Sequence, residues 1–216
     1  MNTVHPIIDY FTQQGVPLET VVLLLLLPII ATLIAFFRQV VGIKAFGIYT
    51  PSIVTFAFLA TGLKYGIAAF VTVIVVGMVS RMLLRRLRIL YLPRVAVTLS
   101  IVAITMLLLL VLGGAMRRTG LAAVSIFPIL IMISIVEKFV ATQIEKGTKT
   151  ALFLAAETLI ISLLSYLVAS WHGLISLIIF YPWIVLITFP IYMLLGRWTG
   201  LRLSEYIRFR EVLKRM

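Results

Sequence analysis

Glu157 is the only acidic residue well inside an apolar segment of this 216-residue sequence. A carboxyl group is costly in lipid and usually faces the protein interior, so its type and position make it a functional candidate. Two roles fit it. A neutral Glu157 donates a hydrogen bond to a neighbouring helix; one that gains and loses a proton serves a coupled transport step or a substrate contact. Lys44 and Tyr49 are candidate partners, in a segment that also holds Pro51. Pro128 takes the comparable place in a later segment. Proline removes a backbone donor and frees a carbonyl that lipid cannot satisfy, so both prolines are expected to break helices near any pathway.

The remaining chemistry is cationic. Residues 80–94 hold five Arg and no Lys: Arg81, Arg85, Arg86, Arg88 and Arg94. Arg81, Arg85 and Arg88 fall at i, i+4 and i+7, one face of a helix. Guanidinium groups grip carboxylates in a bidentate fork that lysine cannot copy. In residues 197–216, Arg202, Arg208 and Arg210 alternate with Leu201, Leu203 and Ile207. That is the pattern of a basic amphipathic helix at a membrane surface or against a cytosolic partner. Anionic lipid headgroups account for these charges by snorkelling. The alternative is a dock for an acidic partner or a polyanionic product.

Other chemistry is missing. No HExxH, GxSxG or Gly-rich phosphate loop occurs, and no pair of intramembrane aspartates. With no cysteine, disulfides, thiol nucleophiles and Cys-ligated metals are excluded. His5 and His172 have no metal-ligand partner at useful spacing. The expectation is a protein that is not an enzyme and holds no cofactor or metal. The net charge of +12 is not read as nucleic-acid binding, because the basic residues sit at the ends of apolar segments.

The elements that position these residues are seven apolar segments, at 21–37, 45–62, 65–80, 95–115, 121–136, 150–170 and 174–195. The chain is 62% hydrophobic and 12% charged, far from a soluble domain. A bilayer core about 30 Å thick needs roughly 20 helical residues. The fourth, sixth and seventh segments reach that length; the others must be tilted, extended or broken. With the N-terminus outside and seven crossings, all of the 19 Lys and Arg but Lys64, Arg117 and Arg118 fall on the cytoplasmic side. Short basic loops stay in the cytoplasm, which sets the orientation. The reading is an all-α integral membrane protein, N-out and C-in. It has an extracytoplasmic tail (1–20), a seven-helix domain (21–196) and a basic cytoplasmic tail (197–216). The first segment lacks a basic n-region and a small-residue cleavage site, so no removable signal peptide is expected. The stretch from Gly42 also reads against that from Gly120, GIKAFGIYTPSIV against GLAAVSIFPILI. The two halves would be inverted repeats with paired broken helices, an arrangement that marks substrate sites in transporters.

The stretches RQVVGIKAFGIYTPSIVTFAF from Arg38, LPRVAV from Leu92, IFPILIMISIVEK from Ile126 and GRWTGLRLSEYIRFR from Gly196 carry a resemblance. Together they resemble the seven-transmembrane domain usually fused to an inactive transglutaminase-like domain, over residues 21–210. The chain departs from that arrangement by opening almost at its first span. What the transglutaminase-like domain contributes is then expected from another chain, or is dispensable. From Gly42 to about Ala169 the Gly, Ile and Pro pattern is also similar to the membrane subunit of poly-gamma-glutamate capsule synthesis. These resemblances imply a membrane component of a peptide or polyamide assembly system in the bacterial cytoplasmic membrane. Its partners would be an ATP-dependent amide ligase acting on glutamate-like substrates and other membrane subunits, with homo-oligomers also compatible. They imply no acid at position 157. Two other readings stay open: an independent proton-coupled transporter using Glu157, and a purely structural anchor.

Single cysteines in this Cys-free chain test the orientation. A membrane-impermeant maleimide is expected to label Thr12→Cys on intact cells, and Glu145→Cys only after permeabilisation. The opposite pattern would invert the topology.

Overall fold

A computed structural model describes residues 5–84, 86, 90–115 and 126–197, with the backbone alone at 112–115, 126 and 127. Every regular element among them is helical. In chain order they are α1 (Pro6–Gln13), α2 (Leu18–Phe36), a π turn (Phe37–Val41), α3 (Tyr49–Thr61), α4 (Leu63–Leu84), α5 (Tyr91–Ala115), α6 (Ile126–Lys146), α7 (Thr148–Ala169), α8 (His172–Phe180), a 3-10 stretch (Pro182–Ile187) and α9 (Thr188–Gly196). They form two compact units: Ile53–Ile160, and the described residues before and after that stretch.

Four helices are long and apolar enough to cross a membrane: α2 with its π turn, α4, the Tyr91–Val111 part of α5, and α7. Only 22% to 39% of the apolar window in each is buried, so most of that surface faces outward. A lipid solvent requires such a surface. The short segments expected at the first and third positions gain length at their ends, to 24 residues for Leu18–Val41 and 22 for α4. At about 1.5 Å per residue both can span. By contrast α3 is only 13 residues long.

The last expected span, 174–195, is not one straight helix. α8 and the stretch from Pro182 to Gly196 meet at a bend of 103°. Pro182 offers no N–H, and the residue before a proline is pushed out of the helical region. Tyr181 accordingly sits at φ −133°, ψ 69°. The two prolines expected to break helices do not. Pro51 and Pro128 each occupy the third position of their helix, α3 and α6. An amide there has no intrahelical acceptor, so its loss costs nothing.

In the first unit the N-terminal segment is built into the fold. The His5 imidazole accepts from the Ile7 N–H at 3.3 Å, capping α1, and the His5 N–H donates to the Ile179 carbonyl at 3.4 Å. Ile8 beneath them is 1% exposed. In the second unit α4, α5 and α6 pack on one another. Tyr65 at the start of α4, Met106 late in α5 and Pro128 at the start of α6 line one small void. Arg81 at the end of α4 and Gln143 at the end of α6 line a cavity together. Hence α4 and α6 run in the same direction and α5 runs against them. Two glycines allow close approach. A Cβ on Gly66 would strike the Phe58 ring and come within 3.0 Å of Thr61 Oγ1, and one on Gly77 would lie 3.1 Å from Val136 Cγ1.

Gly66→Ala is therefore expected to lower stability by about 1–3 kcal/mol through overpacking. Gly77→Ala should be near neutral, since a helix-propensity gain of about 1 kcal/mol offsets a contact that a small shift of Val136 relieves. Thermal unfolding in detergent compares the two. Equal effects would refute this account of the packing.

Candidate functional site

The chain is most irregular where α2 ends. Two amides, of Gly42 and Ile43, donate to the one Phe37 carbonyl at 2.9 and 3.2 Å, widening the last turn to π geometry. Gly42 closes the turn at φ 89°, in the left-handed region. Ala45 (φ 40°) and Gly47 (φ 91°) follow in the same region. Ala45 is buried and is the only non-glycine with positive φ among the described residues. Such a residue stores about 1–3 kcal/mol of strain that the surroundings must hold in place. The α3 end of the loop is fixed by hydroxyls: Thr50 Oγ1 donates to the Phe46 carbonyl at 3.0 Å, and Ser52 Oγ to the Ile48 carbonyl at 2.9 Å.

This loop, the π turn and α9 enclose a cavity of about 370 Å³. Arg38, Gln39, Lys44 and Tyr192 give it polar groups; Ala35, Ile43, Ile48 and Leu195 give it apolar wall. Arg38 is half-buried and Lys44 exposed. Arg38 Nη1 lies 3.9 Å from where a Cβ on Gly47 would be, ordinary van der Waals contact, so it is the left-handed φ and not the guanidinium that calls for glycine there. Tyr192 is fixed by its hydroxyl, which donates to the Pro28 carbonyl at 2.8 Å. That carbonyl also accepts from Thr32 Oγ1 at 2.7 Å. Pro28 lies inside α2, where its missing N–H withdraws the usual partner of the Leu24 carbonyl. With two cations, an amide and no carboxylate among the described residues of its lining, the cavity is suited to holding an anion.

A second cavity, of about 540 Å³, lies in the other unit and is lined by Met78, Arg81, Met82, Gln143 and Thr148, among others. Gln143 is 3% exposed and donates through Nε2 to Thr148 Oγ1 at 3.1 Å. Its Oε1 is buried with no hydrogen-bond partner among the described residues. Arg81, half-buried, sits at the end of α4, and Arg94, also half-buried, in the first turn of α5. Of the expected helical face of Arg81, Arg85 and Arg88, only Arg81 is among the described residues, on α4; Arg86 is an exposed turn residue. Arg85, Arg88, Arg202, Arg208 and Arg210 lie outside the described residues.

Glu157 is half-buried on α7, within the second unit. Lys44 and Tyr49 are both exposed and belong to the first. Pro51 is buried, and its carbonyl accepts from Ser162 Oγ at 3.1 Å, tying α3 to α7. Pro128 is buried beside a void of about 10 Å³, room for a single water. Sequence reasoning passed over Arg38, Gln143 and Tyr192. Arg38 had a visible signal, being the first cation after a long apolar run and four residues before a glycine. Gln143 and Tyr192 had none.

Among the described residues no group of three or more His, Asp or Glu is placed to hold a metal ion. A family model described as seven transmembrane helices usually fused to an inactive transglutaminase matches residues 8–213. No curated protein and no solved structure matches the chain.

Tyr192→Phe removes one hydrogen bond from the Pro28 carbonyl and should cost about 0.5–1.5 kcal/mol. Unfolding in detergent checks it. A double-mutant cycle with Thr32→Val is expected to give a coupling energy above zero, because both hydroxyls serve one oxygen.

Proposed function

Because the chain belongs to the family of seven-transmembrane domains usually fused to an inactive transglutaminase, we propose that it is a non-enzymatic membrane subunit of a peptide or polyamide assembly system. In this reading it docks a cytosolic ATP-dependent ligase that joins glutamate-type units, and it anchors or passes the acidic product. The membrane is the bacterial cytoplasmic membrane, with the N-terminus outside and the C-terminus inside. Multi-pass insertion itself follows from the family and the apolar helices.

One observation carries the docking role. Arg81 and Arg94 stand at the same end of the packed α4–α5–α6 group, with exposed Arg86 between them in sequence and the larger cavity alongside. A basic end of this kind is the cytoplasmic end by the positive-inside rule. It offers guanidinium groups to carboxylates on a ligase or on its product. The basic tail with Arg202, Arg208 and Arg210 would extend the dock. An inverted-repeat origin is supported by a shared device. Pro51 and Pro128 both stand third in their helices, and each helix leads into the next through a single left-handed glycine, Gly62 (φ 78°) or Gly147 (φ 86°).

The second reading is a proton-coupled transporter. A half-buried carboxyl on an apolar 22-residue span favours it. Glu157 would bind the proton, with Lys44 and Tyr49 as partners near Pro51 and Pro128.

A gentle-detergent pull-down of the tagged protein separates the readings. Co-purification of an ATP-dependent ligase is expected, falling at least tenfold when Arg85, Arg86 and Arg88 are replaced by Gln. Unchanged association and product output in that variant would end the docking role. Recovery of the protein alone, with proton-dependent flux in liposomes that Glu157→Gln abolishes, would establish the transporter.

A further inference from the structure

We propose that the cavity between the π turn and α9 is a binding site for an oxyanion carried on an apolar stem, a phosphate or carboxylate group seated on Arg38. This goes beyond the docking reading and needs neither a ligase nor its product. Arg38 is half-buried at the end of an apolar span. Among the described residues its guanidinium has no hydrogen-bond or ion-pair partner. A long cation near a membrane boundary normally extends its head group into water. Here the head group instead turns along the cavity, against Gly47. A second cation, Lys44, lines the same space, and the lining contains no acid among the described residues.

The backbone is shaped around this space. The π turn sets Arg38 and Gln39 on the lining, and such turns recur at functional sites. Gly42, Ala45 and Gly47, all left-handed, then fold the chain back so that Lys44 returns to the cavity. Ligand class follows from the lining. A guanidinium presents paired N–H donors to two oxygens of one phosphate or carboxylate. Ile43, Ile48 and Leu195 accept an aliphatic stem beside it. A volume of about 370 Å³ is that of a small-molecule site. The anion has two sources, an anionic lipid headgroup from the bilayer or a small acid from solution.

The test uses the full chain in nanodiscs of neutral phosphatidylcholine. One arm titrates phosphatidylglycerol into the disc, read by native mass spectrometry of retained lipid. The other adds inorganic phosphate or glutarate to the solution, read by the shift in unfolding temperature. Binding in either arm is expected, weakened at least tenfold by Arg38→Gln and about threefold by Arg38→Lys, which keeps the charge and loses the fork. Lys64→Gln, the control, should bind as the unchanged protein does. Retention in the first arm identifies a lipid headgroup, and a shift confined to the second identifies a soluble acid. Absence of binding in both arms overturns the proposal. So does an Arg38→Gln or Arg38→Lys protein that keeps its unfolding temperature in neutral discs and binds as tightly as the unchanged chain.

Discussion

Lipid cannot hydrogen-bond a peptide group, and this constraint orders the rest of the structure. Every regular element described is a helix. Several side-chain hydroxyls in the apolar helices return to backbone carbonyls. Thr61, Thr98, Thr105 and Thr158 each donate to the carbonyl four residues earlier, at 2.7–2.9 Å. The same constraint makes each break informative, since a break creates carbonyls and amides that need other partners. Around Pro28, where the helix stays continuous, the hydroxyls of Thr32 and Tyr192 both donate to the Pro28 carbonyl, not to the Leu24 carbonyl that the missing N–H leaves open. At the end of α2 the π turn puts two amides on Phe37.

The two units handle this constraint differently. In Ile53–Ile160 α4 approaches α6 closely at Gly77 and the end of α3 at Gly66, and buried residues such as Val73, Phe139 and Val140 are almost fully enclosed. Among the described residues the other unit holds the π turn, the left-handed loop, the bend after α8 and the 3-10 stretch. Irregular backbone at membrane depth is tolerated where it is buried in protein or lines a cavity. The Arg38 cavity satisfies that condition, and its charge and its broken geometry have a common origin. The straight helices of the other unit keep their chemistry at one end, where Arg81 and Gln143 meet.

The prolines mark how far reading the chain could go. By composition Pro28, Pro51, Pro128 and Pro182 are equivalent, each in an apolar segment. Pro51 and Pro128 were the natural suspects because they align between the halves, yet both begin helices. Pro182 makes the sharp bend, and Pro28 sits inside a helix that stays continuous. What a proline does depends on whether a carbonyl four residues back is already helical, and that is set by where the helix starts. Helix starts in apolar sequence are poorly marked, since polar caps are scarce there. Glu157 and the arginine clusters were legible for the opposite reason: charge in an apolar background stands out whatever the fold.

Sequence alone determined the membrane solvent, the all-helical class, the family and the sorting of charge to segment ends. These are sums or patterns along the chain, and the energy of moving residues into lipid is close to additive. Tertiary structure decided which segments stay straight and which prolines matter. It also decided that Arg38 and Lys44 share a space walled by Tyr192 and Leu195. That space joins residues from opposite ends of the chain; the Tyr192–Pro28 bond beside it spans 164 positions. Packing over such a separation depends on shape, and shape leaves no periodic trace in a sequence built from few apolar residue types.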